Sequence, residues 1–292
     1  MAAFVLSGGG NLGALQAGAM HALVDGGIEP DLLVGSSIGA LNAAFYATHP
    51  GVAGCQALER AWTTLRRRDV FPFEITGLLA GFLGFRDHLV ASRRLRELIR
   101  LWLGIERIED AALPFAAVAT DALSGEPVVM THGDVASALL ASAAIPGLFP
   151  AVRRDDRWLV DGSLSATCPV KEALDLGADS LYVLTTATTP RRTPPKGAVA
   201  MAMNSISLVT AKLHRSQLAW AAREAEARGG AVWVVPSPEP EAPSPYDFRR
   251  SPELVTAGYQ CTARWLAGHV AGATPTEQAD DPFLENTDVA GR

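Results

Sequence analysis

Apolar residues are distributed along the chain in two patterns. Short, nearly unbroken runs at residues 4–7, 31–34, 115–120, 127–130, 158–160, 180–185 and 232–235 read as strands, most of them buried on both faces. Longer segments with apolar residues three and four apart read as helices, at residues 12–24, 38–48, 52–68, 93–103, 134–144, 169–176, 199–228 and 252–270. In the first helix Leu12, Leu15, Ala19, Ala22 and Leu23 share one face, and Gly26-Gly27 supplies its stop. In the fourth, Leu95, Leu98, Ile99 and Trp102 face inward with basic residues outward. Ser124-Gly125 joins two strands as a turn, and Pro146 and Pro150 end the alanine-rich helix before them. Strand, helix, strand, helix from the N-terminus onward is a βαβα unit, which predicts an α/β fold with a parallel sheet covered on both faces.

An apolar fraction of 48% over 292 residues is enough for one large core. The expected organisation is a single domain over residues 1–270 followed by a disordered tail over 271–292, which is polar and rich in breakers. The net charge of −6, with both signs mixed along the chain, argues against a nucleic-acid partner. Arg66-Arg67-Arg68 and Arg93-Arg94 read as solvated helix faces. Cys55, Cys168 and Cys261 are scattered without metal-ligand spacing, so they read as reduced thiols and no metal is expected. The opening Met1-Ala2-Ala3-Phe4 lacks a basic region and runs straight into a glycine turn, which fits a first strand better than a signal peptide. No run reaches the roughly 18 apolar residues of a membrane span, and a soluble, cytoplasmic protein is expected. Residues 70–85 carry Phe71, Phe73, Leu78, Leu79, Phe82, Leu83 and Phe85 among glycine and proline breakers. They read as a loop packed on the core or as an apolar cap that touches lipid.

Two glycine turns hold the candidate chemistry. Gly8, Gly10 and Gly13 satisfy G-x-G-x-x-G between a strand and a helix, the fingerprint of a dinucleotide site. Such a site needs an acidic residue at the end of the second strand. That strand ends in Val34-Gly35-Ser36-Ser37, and Glu29 and Asp31 lie at its opposite end. A P-loop is excluded because Ala14 stands where its lysine would follow the last glycine. No nucleotide or other cofactor is therefore expected. Gly35-Ser36-Ser37-Ile38-Gly39 fits the nucleophile elbow G-x-S-x-G, in which a sharp strand-to-helix turn pushes a serine hydroxyl outward. None of His21, His49, His88, His132, His214 and His269 sits in a turn suited to a catalytic base. Asp161, in the turn Asp161-Gly162-Ser163 at a strand end, is the candidate base. On that tripeptide alone, an aspartate bonding its own turn is the commoner reading.

The combination resembles the patatin-like phospholipases. It comprises the loop Gly8-Gly9-Gly10-x-x-Gly13, the elbow around Ser37, the block Ala141-Ser142-Ala143-Ala144-Ile145-Pro146-Gly147-Leu148-Phe149-Pro150, and Asp161-Gly162. The likeness runs from about residue 4 to residue 186, with an echo near Tyr259. It implies a three-layer α/β/α fold with a mostly parallel central sheet and a histidine-free dyad of Ser37 and Asp161. The backbone N–H groups of Gly8, Gly9 and Gly10 would form the oxyanion hole. The activity implied is a serine acyl hydrolase acting on lipid or other ester substrates, with peripheral membrane contact. An acyltransferase using the same acyl-serine, or a lipid-binding protein that keeps the fold without catalysis, are the alternatives.

Two positions depart from the family pattern. Leu12 occupies the place usually held by Lys or Arg before the last glycine of the loop, which points to neutral or weakly charged esters. Ser163 follows Asp161-Gly162 where glycine or alanine is usual, a change that is harmless if its φ is negative.

Overall fold

The computed structural model describes residues 1–70, 90–186, 195–238 and 247–269. Most of the apolar stretch at 70–85 and the expected tail at 271–292 lie outside the described residues. The strands are β1 (Ala2–Leu6), β2 (Leu32–Ser36), β3 (Phe115–Asp121), β4 (Pro127–Met130), β5 (Val152–Arg154), β6 (Arg157–Asp161), β7 (Ser180–Leu184) and β8 (Ala231–Val235). They form one mixed sheet in the order β5-β6-β3-β2-β1-β7-β8, with β4 also on β3. From β3 through β2, β1 and β7 to β8 the pairing is parallel; β4, β5 and β6 are added antiparallel.

Burial alternates along the parallel strands as a two-residue period requires. Phe4, Leu6, Leu33, Phe115, Ala117 and Leu184 face one apolar layer, and Ala3, Val5, Leu32, Val34, Ala116, Val118, Leu181 and Val183 face the other. The first layer is closed by α1 (Gly13–Asp25), α2 (Ile38–Thr48), α3 (Val52–Thr64), α5 (Arg93–Leu103), α6 (Val135–Ser142) and α9 (Ser251–His269). A short turn of helix, α4 (Arg67–Val70), follows α3. Helices α7 (Val170–Asp175) and α8 (Ala198–Ala227) cover the second layer. The fold is α/β, with helices on both faces of the sheet.

One helix departs from the one-sided pattern expected of it. Every residue of α1 except His21 and Asp25 is buried, because α1 lies under a second helix, α9, as well as on the sheet. Its alanines and glycines permit that position. A Cβ on Gly18 would stand 2.0 Å from the carbonyl oxygen of Val255, and one on Gly258 would stand 2.2 Å from that of Leu15. Each helix thus leaves a glycine where the other's backbone passes. The pairing is finished at the rim by Tyr259, whose hydroxyl donates to Asp25 at 2.7 Å while its ring meets His21 edge-on at 5.1 Å.

The hairpin of β5 and β6 also differs from expectation, since only the second strand is apolar enough to read. Its two-residue turn, Asp155-Asp156, has φ values of 47° and 61°, the left-handed pair that such hairpins need and that Asp tolerates better than most residues. Cys55 and Cys168 are buried free thiols and Cys261 is half-buried. Burial pushes the Cys55 thiol up to about 12.

Gly18→Ala forces a methyl into the α1–α9 contact. It should destabilise the protein by about 1–3 kcal/mol, the usual range for overpacking, measured by thermal or urea unfolding, with Gly268→Ala, where a Cβ meets nothing within 4 Å, as the uncrowded comparison.

Candidate active site

The site is positioned by strand register. β1 and β2 are parallel neighbours with Leu6 opposite Gly35, so the turns that follow them leave the sheet side by side. A Cβ on Gly8 would stand 3.2 Å from Ser37 Cβ, which puts the glycine loop against the serine. Residues Ser36 of β2 and Asp161 of β6 face successive residues of β3, Val118 and Ala119. At both of these residues the other edge of β3 is taken by β4. It follows that β2 and β6 meet end to end along one edge of β3, β2 running in parallel and β6 returning antiparallel. Their C-terminal ends converge on the same point.

At that point the Ser37 hydroxyl donates to Asp161 Oδ2 at 2.6 Å. Both residues are buried, with 7% and 4% of their surfaces exposed. Ser37 has φ 54° and ψ −124°, a region that non-glycine residues visit at a cost of about 1–3 kcal/mol. The turn is held in place by its neighbours. Ser37 N–H donates to Ser142 Oγ at 2.9 Å, and Ser142 Oγ donates to the Val118 carbonyl at 2.6 Å. The Ser37 carbonyl accepts from Ala40 N–H at 3.0 Å and so begins α2. The two glycines of the motif are explained by contact. A Cβ on Gly35 would lie 2.4 Å from the Gly39 carbonyl carbon, and one on Gly39 would lie 2.3 Å from the Leu6 carbonyl oxygen.

Asp161 is fixed on both carboxylate oxygens. Oδ1 accepts from Ser163 N–H at 2.8 Å, the turn-aspartate bond expected of an Asp-Gly-Ser turn, while Oδ2 takes the serine proton donor. Its backbone N–H donates to Ala144 O at 2.9 Å and its carbonyl accepts from Thr120 Oγ1 at 2.8 Å. Removal from water raises the Asp161 pKa above the ordinary aspartate value, opposed by hydrogen bonds from Ser37 and Ser163. Ser163 is not among the residues with positive φ, so the departure at this position is accommodated without strain.

The glycine loop requires one correction to the expected donor set. Gly8 N–H is already bonded to the Thr167 carbonyl at 3.1 Å, and the Gly8 carbonyl accepts from Thr186 Oγ1. Gly8 therefore serves as an anchor, and the N–H groups of Gly9 and Gly10 are the ones without an acceptor among the described residues. The ends of the loop hang on a buried chain of amides. Gln16 Nε2 donates to the carbonyls of Ser7 and Leu184, Asn42 Nδ2 donates to Gln16 Oε1 and to the Gly13 carbonyl, and Trp62 Nε1 donates to Asn42 Oδ1. Leu12 is 5% exposed and belongs to the core, so the loop brings no cation at that position.

Ser142 lies in the block that carries the resemblance, but the sequence did not show what it bonds, and it had no signal for Thr167, Gln16 or Asn42, whose partners lie elsewhere in the chain. His21 is bonded to Glu59 at 2.9 Å and packed on Tyr259, a structural role. Among the described residues there is no group of His, Cys, Asp and Glu able to hold a metal. Nor is any described helix long and apolar enough to cross a membrane.

The patatin-like phospholipase family model matches residues 4–174, more than half of the chain, running from β1 into α7 and including Ser37 and Asp161. The chain belongs to the patatin-like phospholipase family. It is similar to a patatin-like phospholipase domain-containing protein of Caenorhabditis elegans, 28% identical over 185 residues, covering 62% of this chain and 16% of that protein. An NTE family protein of Mycobacterium tuberculosis is 28% identical over 166 residues, covering 56% of this chain and 27% of that one. The chain thus spans well under a third of the length of either relative. Among solved structures, VipD from Legionella pneumophila aligns with 91% of this patatin-like chain and 67% of its own, at a TM-score of 0.42 and 15% identity.

The raised pKa of Asp161 means that ionising it in the folded state costs more than in the unfolded chain. The wild type therefore loses stability relative to Asp161→Asn as pH rises from about 4, the ordinary aspartate value, towards the folded value. Urea unfolding of both proteins at a series of pH values should show a gap that widens in the variant's favour over that window and then levels off.

Proposed function

We propose that this patatin-like chain is a serine acyl hydrolase that cleaves fatty-acyl esters of lipids through a Ser37–Asp161 dyad. The observation that carries the reading is the 2.6 Å hydrogen bond from the Ser37 hydroxyl to Asp161 Oδ2 on a strained elbow beside the glycine loop. Membership of a phospholipase family supports the lipid substrate class.

In the first half-reaction Asp161 takes the proton of Ser37 Oγ as the oxygen attacks the ester carbonyl. The tetrahedral oxyanion is met by the N–H groups of Gly9 and Gly10, with the positive end of α2 adding to the field at Ser37. Collapse expels the alcohol, which leaves with the proton from Asp161, and the acyl group remains on Ser37. In the second half-reaction Asp161 takes a proton from water, the resulting hydroxide attacks the acyl-serine, and the fatty acid departs as Ser37 recovers its proton. A carboxylate is a weak base at its ordinary value near 4. The burial that raises the Asp161 pKa brings it closer to the task. The apolar stretch at residues 70–85 supports a peripheral contact with lipid on composition alone.

Ser37→Ala and Asp161→Asn should each lower turnover of p-nitrophenyl and lipid esters by at least about 10³-fold, as losses of nucleophile and base do in serine hydrolases. Wild type should take a fluorophosphonate label that Ser37→Ala does not. A folded wild type that resists the label sinks the proposal. The pH profile provides a second test. Asp161 works only when ionised, so kcat/KM should fall on acidification with a midpoint above that of an ordinary aspartate; a midpoint at or below about 3.9 removes Asp161 as the base.

A further inference from the structure

Gly8 is held at both of its backbone groups, and each hold has a direction. Its N–H donates to the Thr167 carbonyl at 3.1 Å, and its carbonyl accepts from Thr186 Oγ1. Thr186 reaches it through strand register. β1 and β7 are parallel neighbours with Leu6 opposite Leu184, and Ser7 N–H donates to the Leu184 carbonyl at 3.2 Å, so Gly8 and Thr186 leave the sheet together. The Thr186 side chain packs on the loop there. A Cβ on Gly9 would stand 2.6 Å from Thr186 Cβ and 2.9 Å from its Cγ2. Ser7 Oγ lies 3.3 Å from Thr186 Oγ1. A hydroxyl has one proton to donate, and that of Thr186 goes to the Gly8 carbonyl, so Ser7 is the donor in this pair.

The bond from Thr186 also sets the direction of the next amide. A trans peptide unit is planar, with its C=O and the following N–H on opposite sides, so fixing the Gly8 carbonyl fixes Gly9 N–H. In the sheet β1 has β7 on one side and β2 on the other. With the Gly8 carbonyl drawn to the β7 side, Gly9 N–H is turned to the β2 side. That is the side of the elbow, where a Cβ on Gly8 would come within 3.2 Å of Ser37 Cβ. Gly9 N–H has no acceptor among the described residues, so it is available to a ligand there. Such an orientation needs an external hold. A unit flanked by two glycines has the greatest backbone freedom of any pair, and the reverse orientation would present a carbonyl oxygen where a donor is wanted.

We infer that Thr186 is a positioning residue for the proposed acyl transfer, its hydroxyl holding the Gly8–Gly9 peptide so that Gly9 N–H faces the ester carbonyl at Ser37. The inference rests on the acyl-hydrolase reading and adds a residue to its machinery. Thr186 lies beyond the segment that matches the family model, which ends at residue 174. It acts on the reaction through the loop, with no contact to the Ser37–Asp161 pair required.

The test compares wild type with Thr186→Val, which keeps the branched shape and loses the donor, and with Thr186→Ser, which keeps the donor. On p-nitrophenyl butyrate Thr186→Val should lose at least about tenfold in kcat with KM changed less than about twofold, a smaller loss than the about 10²–10³ of a whole oxyanion donor. Thr186→Ser should recover to within about threefold of wild type. Affinity for an alkyl trifluoromethyl ketone, whose adduct with a serine carries the oxyanion, should fall in Thr186→Val by the same factor as kcat/KM. A loss in Thr186→Ser as large as in Thr186→Val, a loss carried by KM alone, or undiminished ketone affinity in Thr186→Val each overturns the inference. Thr186→Ala, which cannot crowd Gly9, takes the place of the valine variant if that variant does not fold. Crystal structures of wild type and the donor-less variant separate this inference from the acyl-hydrolase reading, since they need no turnover. A Gly8–Gly9 peptide turned from its wild-type orientation supports the positioning role even if wild type cleaves no ester and takes no fluorophosphonate, and an unmoved peptide plane overturns it.

Discussion

The arrangement depends on how one strand is shared. β3 gives the lower part of one edge to β2 and the upper part to β6, so Ser36 faces Val118 and Asp161 faces Ala119 on consecutive residues. Backbone hydrogen bonds fix these registers, and they bring Ser37 and Asp161 together from positions 124 residues apart. A slip of one residue in either pairing would turn the serine or the aspartate to the other face of the sheet. Ser142 reinforces the same junction, because its hydroxyl bridges Ser37 N–H to the Val118 carbonyl. The 2.6 Å contact is thus a consequence of sheet topology made before any side chain chooses a rotamer.

The glycine loop is held by a different device. Its two ends carry buried carbonyls, on Ser7 and Gly13, to which the side chains of Gln16 and Asn42 donate. A buried carbonyl left without a donor costs about 1–3 kcal/mol, so the amide chain from Trp62 to Gln16 both satisfies the loop and defines its shape. Removing Gln16 would also take one acceptor from Asn42 Nδ2, leaving Asn42 bonded to the Gly13 carbonyl and to Trp62. That coupling ties α1, α2 and α3 to the loop through the buried polar side chains Gln16, Asn42 and Trp62.

The α/β class, most element positions and the elbow turn at Ser37 were legible in the sequence because they follow local rules. Strands buried on both faces are apolar runs, and an elbow has glycines two residues either side of its serine. What was hidden concerns contacts between distant segments. The antiparallel return of β6 left no trace, since β5 is too polar to announce a hairpin and Asp155-Asp156 lacks the usual glycine. The burial of α1 on nearly all sides depends on α9, more than 200 residues later. Gly8 looked equivalent to Gly9 and Gly10 until Thr167 was seen to occupy its N–H. Both readings of Asp161 proved compatible, because a carboxylate has two oxygens: Oδ1 closes its own turn and Oδ2 meets the serine.

That division of labour bears on why a carboxylate could serve without histidine. An exposed aspartate is too acidic to draw a proton from an alcohol, and a fully buried one without partners would stay protonated and draw none. In Asp161 the two influences oppose each other: burial raises its pKa, and the hydrogen bonds from Ser37 and Ser163 act against that rise. Under the proposed mechanism the proton would pass directly from the Ser37 hydroxyl to Oδ2, 2.6 Å away, with no intermediary to orient. In a triad the histidine bridges a gap in distance and in basicity; in the proposed dyad sheet register would close the first and desolvation would narrow the second.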